Sequence, residues 1–394
     1  MFTITKSARN LSMALMTVGL ISLIFGFATD AHSSWPSLLF NNYFFLGISV
    51  FAVFFIALQY VSEAAWSIVL KRIPEAIISF LPITGIIMLI IMVSAAMHFG
   101  GNHIYHWMAD GIMDPESEHY DKIIAGKEAF LNTTFFLARS VLYILGWIYF
   151  GRKLKQLSLA EDQHGGLSYY NKGVKTSAWF MVFFAVTSAV ASWDWIMSID
   201  THWFSTLFGW YVFSEWAVIG FATILLITLY LKRLGYLSHV NDSHIHDLGK
   251  FMFGVSVFWT YLWFSQFMLI WYSNIPEEVT YFITRMEDYK LPFFGMVVMN
   301  FIFPFLMLMN SDYKRMNAFI VTTGIVIILG HYIDVFNMIM PSAVGDQWFI
   351  GITEIGGFLF FMGLFIYIVF NELTKAPLIA KGDPFYGESE RFHY

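Results

Sequence analysis

The 394 residues include no cysteine. Disulfides, thiolate-bound iron–sulfur clusters and covalently attached c-type haem are therefore excluded from this chain. Charge is scarce as well: 13% of the residues are charged, where a soluble domain carries about 25%. No block of basic residues is present, which argues against nucleic acid as a partner. The sequence has no phosphate-cradling glycine loop and no nucleophile elbow. Only one histidine, His331, falls clearly inside an apolar run, so the paired axial ligands of a membrane haem are missing. The chain thus shows no electron carrier of its own. Any redox role must rest on a bound quinone or on neighbouring subunits.

What is present is long apolar runs. Hydrophobic residues make up 58% and aromatics 20% of the chain, with a mean hydropathy of +0.62. A membrane-crossing helix needs about 20 mostly apolar residues. Ten candidates follow, at Leu11–Ala28, Tyr43–Leu70, Ile77–Met97, Phe130–Phe150, Ala178–Met197, Phe208–Leu231, Leu248–Trp271, Phe293–Met309, Ala318–Met340 and Phe349–Phe370. The first run follows Lys6 and Arg9 but exceeds a signal-peptide core, and reads as an uncleaved membrane helix. With these spans, seventeen Lys and Arg fall on the side of both termini and four on the other, Arg139 lying within a span. That bias predicts cytoplasmic termini, including a cytoplasmic tail over residues 371–394. Trp35, Trp107, Trp203, Trp271, Tyr272 and Trp348 lie where interfacial anchors are expected on the outer side. Two long outer loops, His98–Glu128 and Ser273–Lys290, carry acids such as Asp110, Glu116, Glu277 and Glu287. They read either as docking surfaces or as a solvated acidic face.

The expected fold is one all-α integral membrane domain spanning residues 1–394. The fifth and ninth spans both carry an aspartate in their outer half, in Trp193-Asp194-Trp195 and Tyr332-Ile333-Asp334. This parallel predicts two four-helix bundles, helices 2–5 over 43–197 and helices 6–9 over 208–340, with two flanking helices.

Ionisable residues at membrane depth carry most of the functional information, since each costs at least about 2.5–3.5 kcal/mol there. The candidates for a proton path are Asp194, Glu215, His331, Asp334, Arg139, Glu63 and Glu354. Arg139 reads as a mid-span residue that must pair with a carboxylate, carbonyl or ligand oxygen. Asp194 shares a helix face with Thr187, among small residues (Ala185, Ser188, Ala189, Ser192) that admit a close neighbour. His331, Asp334 and Asn337 form one stripe at i, i+3, i+6. Glu63, near Gln59, reads as the inner acid of the second span, and Glu354 as an acid in the outer third of the tenth. Asn300 and Pro304 interrupt the eighth span, and Ser265 and Gln266 the seventh more mildly. The same residues could equally serve as separate structural ion pairs. Four outer histidines, His98, His103, His106 and His119, match no zinc spacing.

Several stretches form a familiar set. They are Ser192-Trp-Asp-Trp-Ile-Met-Ser-Ile-Asp200 with Thr201-His-Trp-Phe-Ser205, His244-Ile-His-Asp-Leu-Gly-Lys250, and Phe264-Ser-Gln-Phe-Met-Leu-Ile-Trp271 with Asn274-Ile-Pro-Glu-Glu278. His331-Tyr-Ile-Asp334 and Met340-Pro341 complete it. In order and spacing the set resembles the F subunits of bacterial alternative complex III, a quinol:cytochrome c oxidoreductase, within the polysulfide-reductase type of membrane-anchor family. The resemblance implies an inner-membrane complex with a multihaem cytochrome c subunit, an iron–sulfur subunit, a sibling ten-helix subunit and small membrane subunits, sometimes beside a terminal oxidase. Haem and iron–sulfur clusters are then expected only in those partners. Quinol oxidation in the family is placed in the sibling subunit. Chains of this kind are often assigned a quinone too, and no residue set here matches that quinol site. Three readings stay open: a proton-conducting subunit, a structural anchor for peripheral redox subunits, and an independent secondary transporter.

Overall fold

A computed structural model describes residues 2–346 and 348–393. It is built of helices, with no strand among the described residues. Ten helices in those residues are long and apolar enough to cross a membrane. They are α1 (Lys6–Thr29), α2 (Ala31–Val61), α3 (Ile68–Ala96), α4 (Thr133–His164), α5 (Leu167–Ile199), α6 (Phe208–Arg233), α7 (Asp242–Ser273), α8 (Lys290–Leu308), α9 (Asn317–Val344) and α10 (Ile352–Leu373). An even number of crossings puts both described ends on one face, here the terminal face, opposite the distal face.

Several helices begin elsewhere than their apolar runs do. Asp30 caps α2 at Ser33, so α2 starts twelve residues before Tyr43 and ends at Val61. Asn41 and Asn42, which look like a polar boundary, are buried mid-helix. Asn41 donates to Ser37 O at 2.8 Å and accepts from Tyr332 Oη at 2.9 Å, and Asn42 donates to Thr84 O of α3 at 3.0 Å. Asn132 caps α4, whose polar stretch from Arg152 continues the helix to His164. The outer segment 276–287, expected as loop, folds as a helix that buries Tyr281, Phe282 and Arg285 and exposes Glu277 and Glu287. Three expected interfacial tryptophans are instead internal. Trp35 donates to Gly100 O at 3.0 Å, Trp203 stacks on Tyr281 at 3.8 Å, and Trp107 packs on Phe136.

The core sits on α2 and α6, the two most buried helices. They interlock through glycines: a side chain on Gly47 would strike Trp216, and one on Gly220 would strike Phe51. The small face of α5 also works as expected, since Gly209 of α6 packs directly on Ala189. The chief packing partner of α1 is α10. Beyond α10 the chain folds back across the terminal face instead of trailing away, as described below.

Candidate functional site

Asp194 lies one residue before Trp195, at the distal end of α5, and is fully buried. It accepts from Arg139 Nε at 2.9 Å, from Arg139 Nη2 at 2.6 Å and from Tyr143 Oη at 3.0 Å. Arg139 stands only six residues into α4, about 9 Å along the axis, and so near the distal end. Its guanidinium lies 4.0 Å from the ring centroids of both Phe130 and Phe135 and also donates to Phe130 O at 3.0 Å. The adjoining Trp195 is fixed by Ser140, and its carbonyl accepts from Tyr105 Oη at 2.9 Å. Thr187 receives Trp147 Nε1 at 3.0 Å. This carboxylate is saturated.

The second aspartate is treated differently. Asp334 of α9 accepts from Tyr211 Oη of α6 and from Trp259 Nε1 of α7 at 2.9 Å. His331 Nδ1 is 3.5 Å from its Oδ2, outside good hydrogen-bond geometry, and neither ring nitrogen of His331 has a partner among the described residues. Glu215 stands one turn from Tyr211 on α6, fully buried, with neither carboxyl oxygen bonded in the described residues. Tyr43 of α2 faces it, and its hydroxyl is also unpartnered there. One turn of π-helix over Val298–Ile302, just ahead of Pro304, presses Asn300 against Gly330; a Cβ on that glycine would overlap the amide. Neither polar atom of the Asn300 amide has a partner among the described residues. Asn337 reaches Met296 Sδ at 3.2 Å. Glu215 thus lies within electrostatic reach of Tyr43 and Asp334, Asp334 stands against His331, and Asn300 packs on Gly330, the residue before His331. A buried carboxyl group can carry charge only while a donor reaches it.

Two predicted acids fall outside this picture. Glu63 is exposed in a turn after α2, with φ of +49°, because α2 ends at Val61. Glu354 is the third residue of α10, and its Oε2 accepts from the N of the N-cap residue Gly351 at 2.8 Å, so it serves helix initiation. Of the outer histidines, His98 and His103 stack at 5.2 Å. No group of three acidic or histidine side chains is set to hold a metal among the described residues. His202 pairs with Asp121 at 2.7 Å, and the Ile124 amide beside Asp121 holds its carboxyl below the usual carboxylate range.

Two further sites escape a reading by apolar runs. On the distal face, Arg285 is buried in the outer helix, stacked 3.3 Å from the Tyr281 centroid. Its Nε donates at 3.0 Å to Asn337 O, the carbonyl left without its helical donor by Pro341 four residues on. Burial pulls this guanidinium's pKa down from its ordinary value without discharging it. On the terminal face, Lys71 is buried among Tyr60 Oη (2.8 Å), Glu161 (3.2 Å) and Asp383 (2.7 Å). Arg72 beside it holds Glu75 and Asp162. The pairing of Arg72 with Glu75 was available in sequence as an i, i+3 spacing. The long-range partners were not. No model of a known protein family matches this chain, and no curated protein matches it.

Proposed function

We propose that this integral membrane protein is a subunit of a bacterial quinol:cytochrome c oxidoreductase of the alternative complex III type, and that it moves protons through the region between α6 and α9. The observation that supports proton movement is the contrast between its buried acids. Asp194 is locked by three donors, whereas Glu215 has none among the described residues and lies within electrostatic reach of Asp334 and Tyr43, with His331 against Asp334. A relay needs acids whose donors change, and a saturated carboxylate resists that. In this reading the helices form two four-helix halves, α2–α5 and α6–α9, flanked by α1 and α10. The first half has become a fixed pin, and the second keeps the exchangeable groups. Electron carriers belong to partners: a multihaem cytochrome, an iron–sulfur protein and a sibling ten-helix subunit. The membrane is the bacterial inner membrane, with the terminal face cytoplasmic. Whether a quinone visits this chain is a separate matter, and the reading does not require one.

The anchor reading draws its own support from Asp194, because a buried carboxylate held by three donors is what a purely structural element displays. Mild purification of the tagged chain, with mass spectrometry and a haem spectrum, tests the complex. A colourless chain isolated alone would sink it. Proton movement is tested in liposomes holding the whole complex with Glu215→Gln or Asp334→Asn. The expected result is full assembly with fewer protons moved per electron. An unchanged ratio in assembled Glu215→Gln complex rejects the relay and leaves the anchor.

A further inference from the structure

We infer that the cleft between the terminal-face ends of α6 and α9 binds an anionic phospholipid. The two helices run antiparallel, and Gly324 of α9 faces Leu226 of α6. Toward the terminal face they enclose a cleft of about 580 Å³. Its walls include Leu226, Leu229, Ala318 and Val321, and Lys232 and Arg233 stand at its mouth. Arg233 is exposed and makes no ion pair or side-chain hydrogen bond among the described residues. Lys232 holds only a loose contact with exposed Asp242 at 3.6 Å, the kind of pair that contributes little.

The occupant follows from this chemistry. A soluble anion would have no use for the aliphatic walls. A zwitterionic lipid would bring its own cation to a mouth that already has two. A lipid with a net negative head group and acyl tails uses both parts of the cleft. Leu226 and Arg233 are separated by about 10 Å along the helix, so a tail can lie beneath a phosphate held at the mouth. A guanidinium gives phosphate two parallel hydrogen bonds, and the lysine adds a point charge. The first turn of α9, which has no side-chain cap, adds a favourable partial charge at the same place. The site is thus a basic notch between membrane helices with an apolar floor.

The test uses the purified full chain, or the complex that contains it, titrated in detergent with dioleoyl phosphatidylglycerol, dioleoyl phosphatidylcholine or inorganic phosphate. Bound lipid is read by native mass spectrometry. The unmutated chain should hold phosphatidylglycerol at least about tenfold more tightly than phosphatidylcholine. Lys232→Ala with Arg233→Ala should weaken phosphatidylglycerol by about ten- to thirtyfold and leave phosphatidylcholine unchanged. Arg152→Ala with Lys153→Ala, an exposed basic pair on α4, should change neither. Ala318→Phe, which fills the cleft and keeps both cations, should also weaken phosphatidylglycerol. Equal retention of the two lipids overturns the proposal, and so does an equal loss in the α4 control. Displacement of the lipid by inorganic phosphate at matching concentration overturns the role of the apolar walls. The comparison of head groups on the unmutated chain does not depend on any variant folding.

Discussion

Among single residues, burial alone does not rank the acids of this protein. Asp194, Glu215 and Asp334 are all fully buried, yet they differ in how many donors they meet. Removing one member of a buried ion pair leaves an uncompensated charge and costs about 3–5 kcal/mol. Asp194→Ala should therefore lower the thermal unfolding temperature in detergent sharply. Asp194→Leu combined with Arg139→Met should recover most of the loss, because the pair's desolvation disappears with it. A double variant as unstable as the single one would show that Asp194 matters beyond its ion pair. The sequence made Asp194, Glu215, Asp334 and His331 legible as interior groups, since each stands in an apolar run. It misled for Glu63, which lies in the turn where α2 has already ended, while Glu354 is buried in the outer turn of α10 as read but is occupied in capping. A helix end is set by capping and by distant contacts, and hydropathy registers neither.

Helix by helix, the same limit recurs. Ten spans were readable because the bilayer demands length and apolarity of every one. The start of α2 was not, because Asn41 and Asn42 donate to a carbonyl of their own helix and to one of a neighbouring helix. A clearer signal was present in α1 and α10. Ser12, Gly19 and Gly26 recur every seven residues, and Gly356 and Gly363 share that interval. These positions bring the two backbones together: a Cβ on Gly363 would lie 2.6 Å from Ser12 O, and Gly19 lies against the backbone at Phe360. Small residues at one face are how lipid-embedded helices achieve close packing. Gly19→Leu should part α1 from α10, and a disulfide introduced between the two helices would then form slowly. Gly254→Leu, where no atom lies near the added carbon, serves as the neutral control.

Taken whole, the molecule is closed on its terminal face by residues that hydropathy describes only as a tail. Asp383 reaches buried Lys71, Gly382 N donates to Asp162, and Ser389 bonds Trp66 O and His244. Asn241 donates to Phe392 O at 2.7 Å. The segment thus ties residues near α3 and α4 to the start of α7. Asp383→Ala should cost about 1–3 kcal/mol by leaving a buried ammonium short of an acceptor, measured as thermal unfolding of the intact chain. Exposed Glu388→Ala should cost nothing measurable. Nothing in the local sequence announced this strap, because each of its bonds joins residues far apart in the chain. The clasp between α1 and α10 has a consequence in time. Of the ten helices described, α1 is made well before α10, so it meets its chief partner only after the eight between them have been made. Until α10 arrives, α1 waits in lipid with a bare strip of glycine backbone, so among these ten helices an early arrival is placed late.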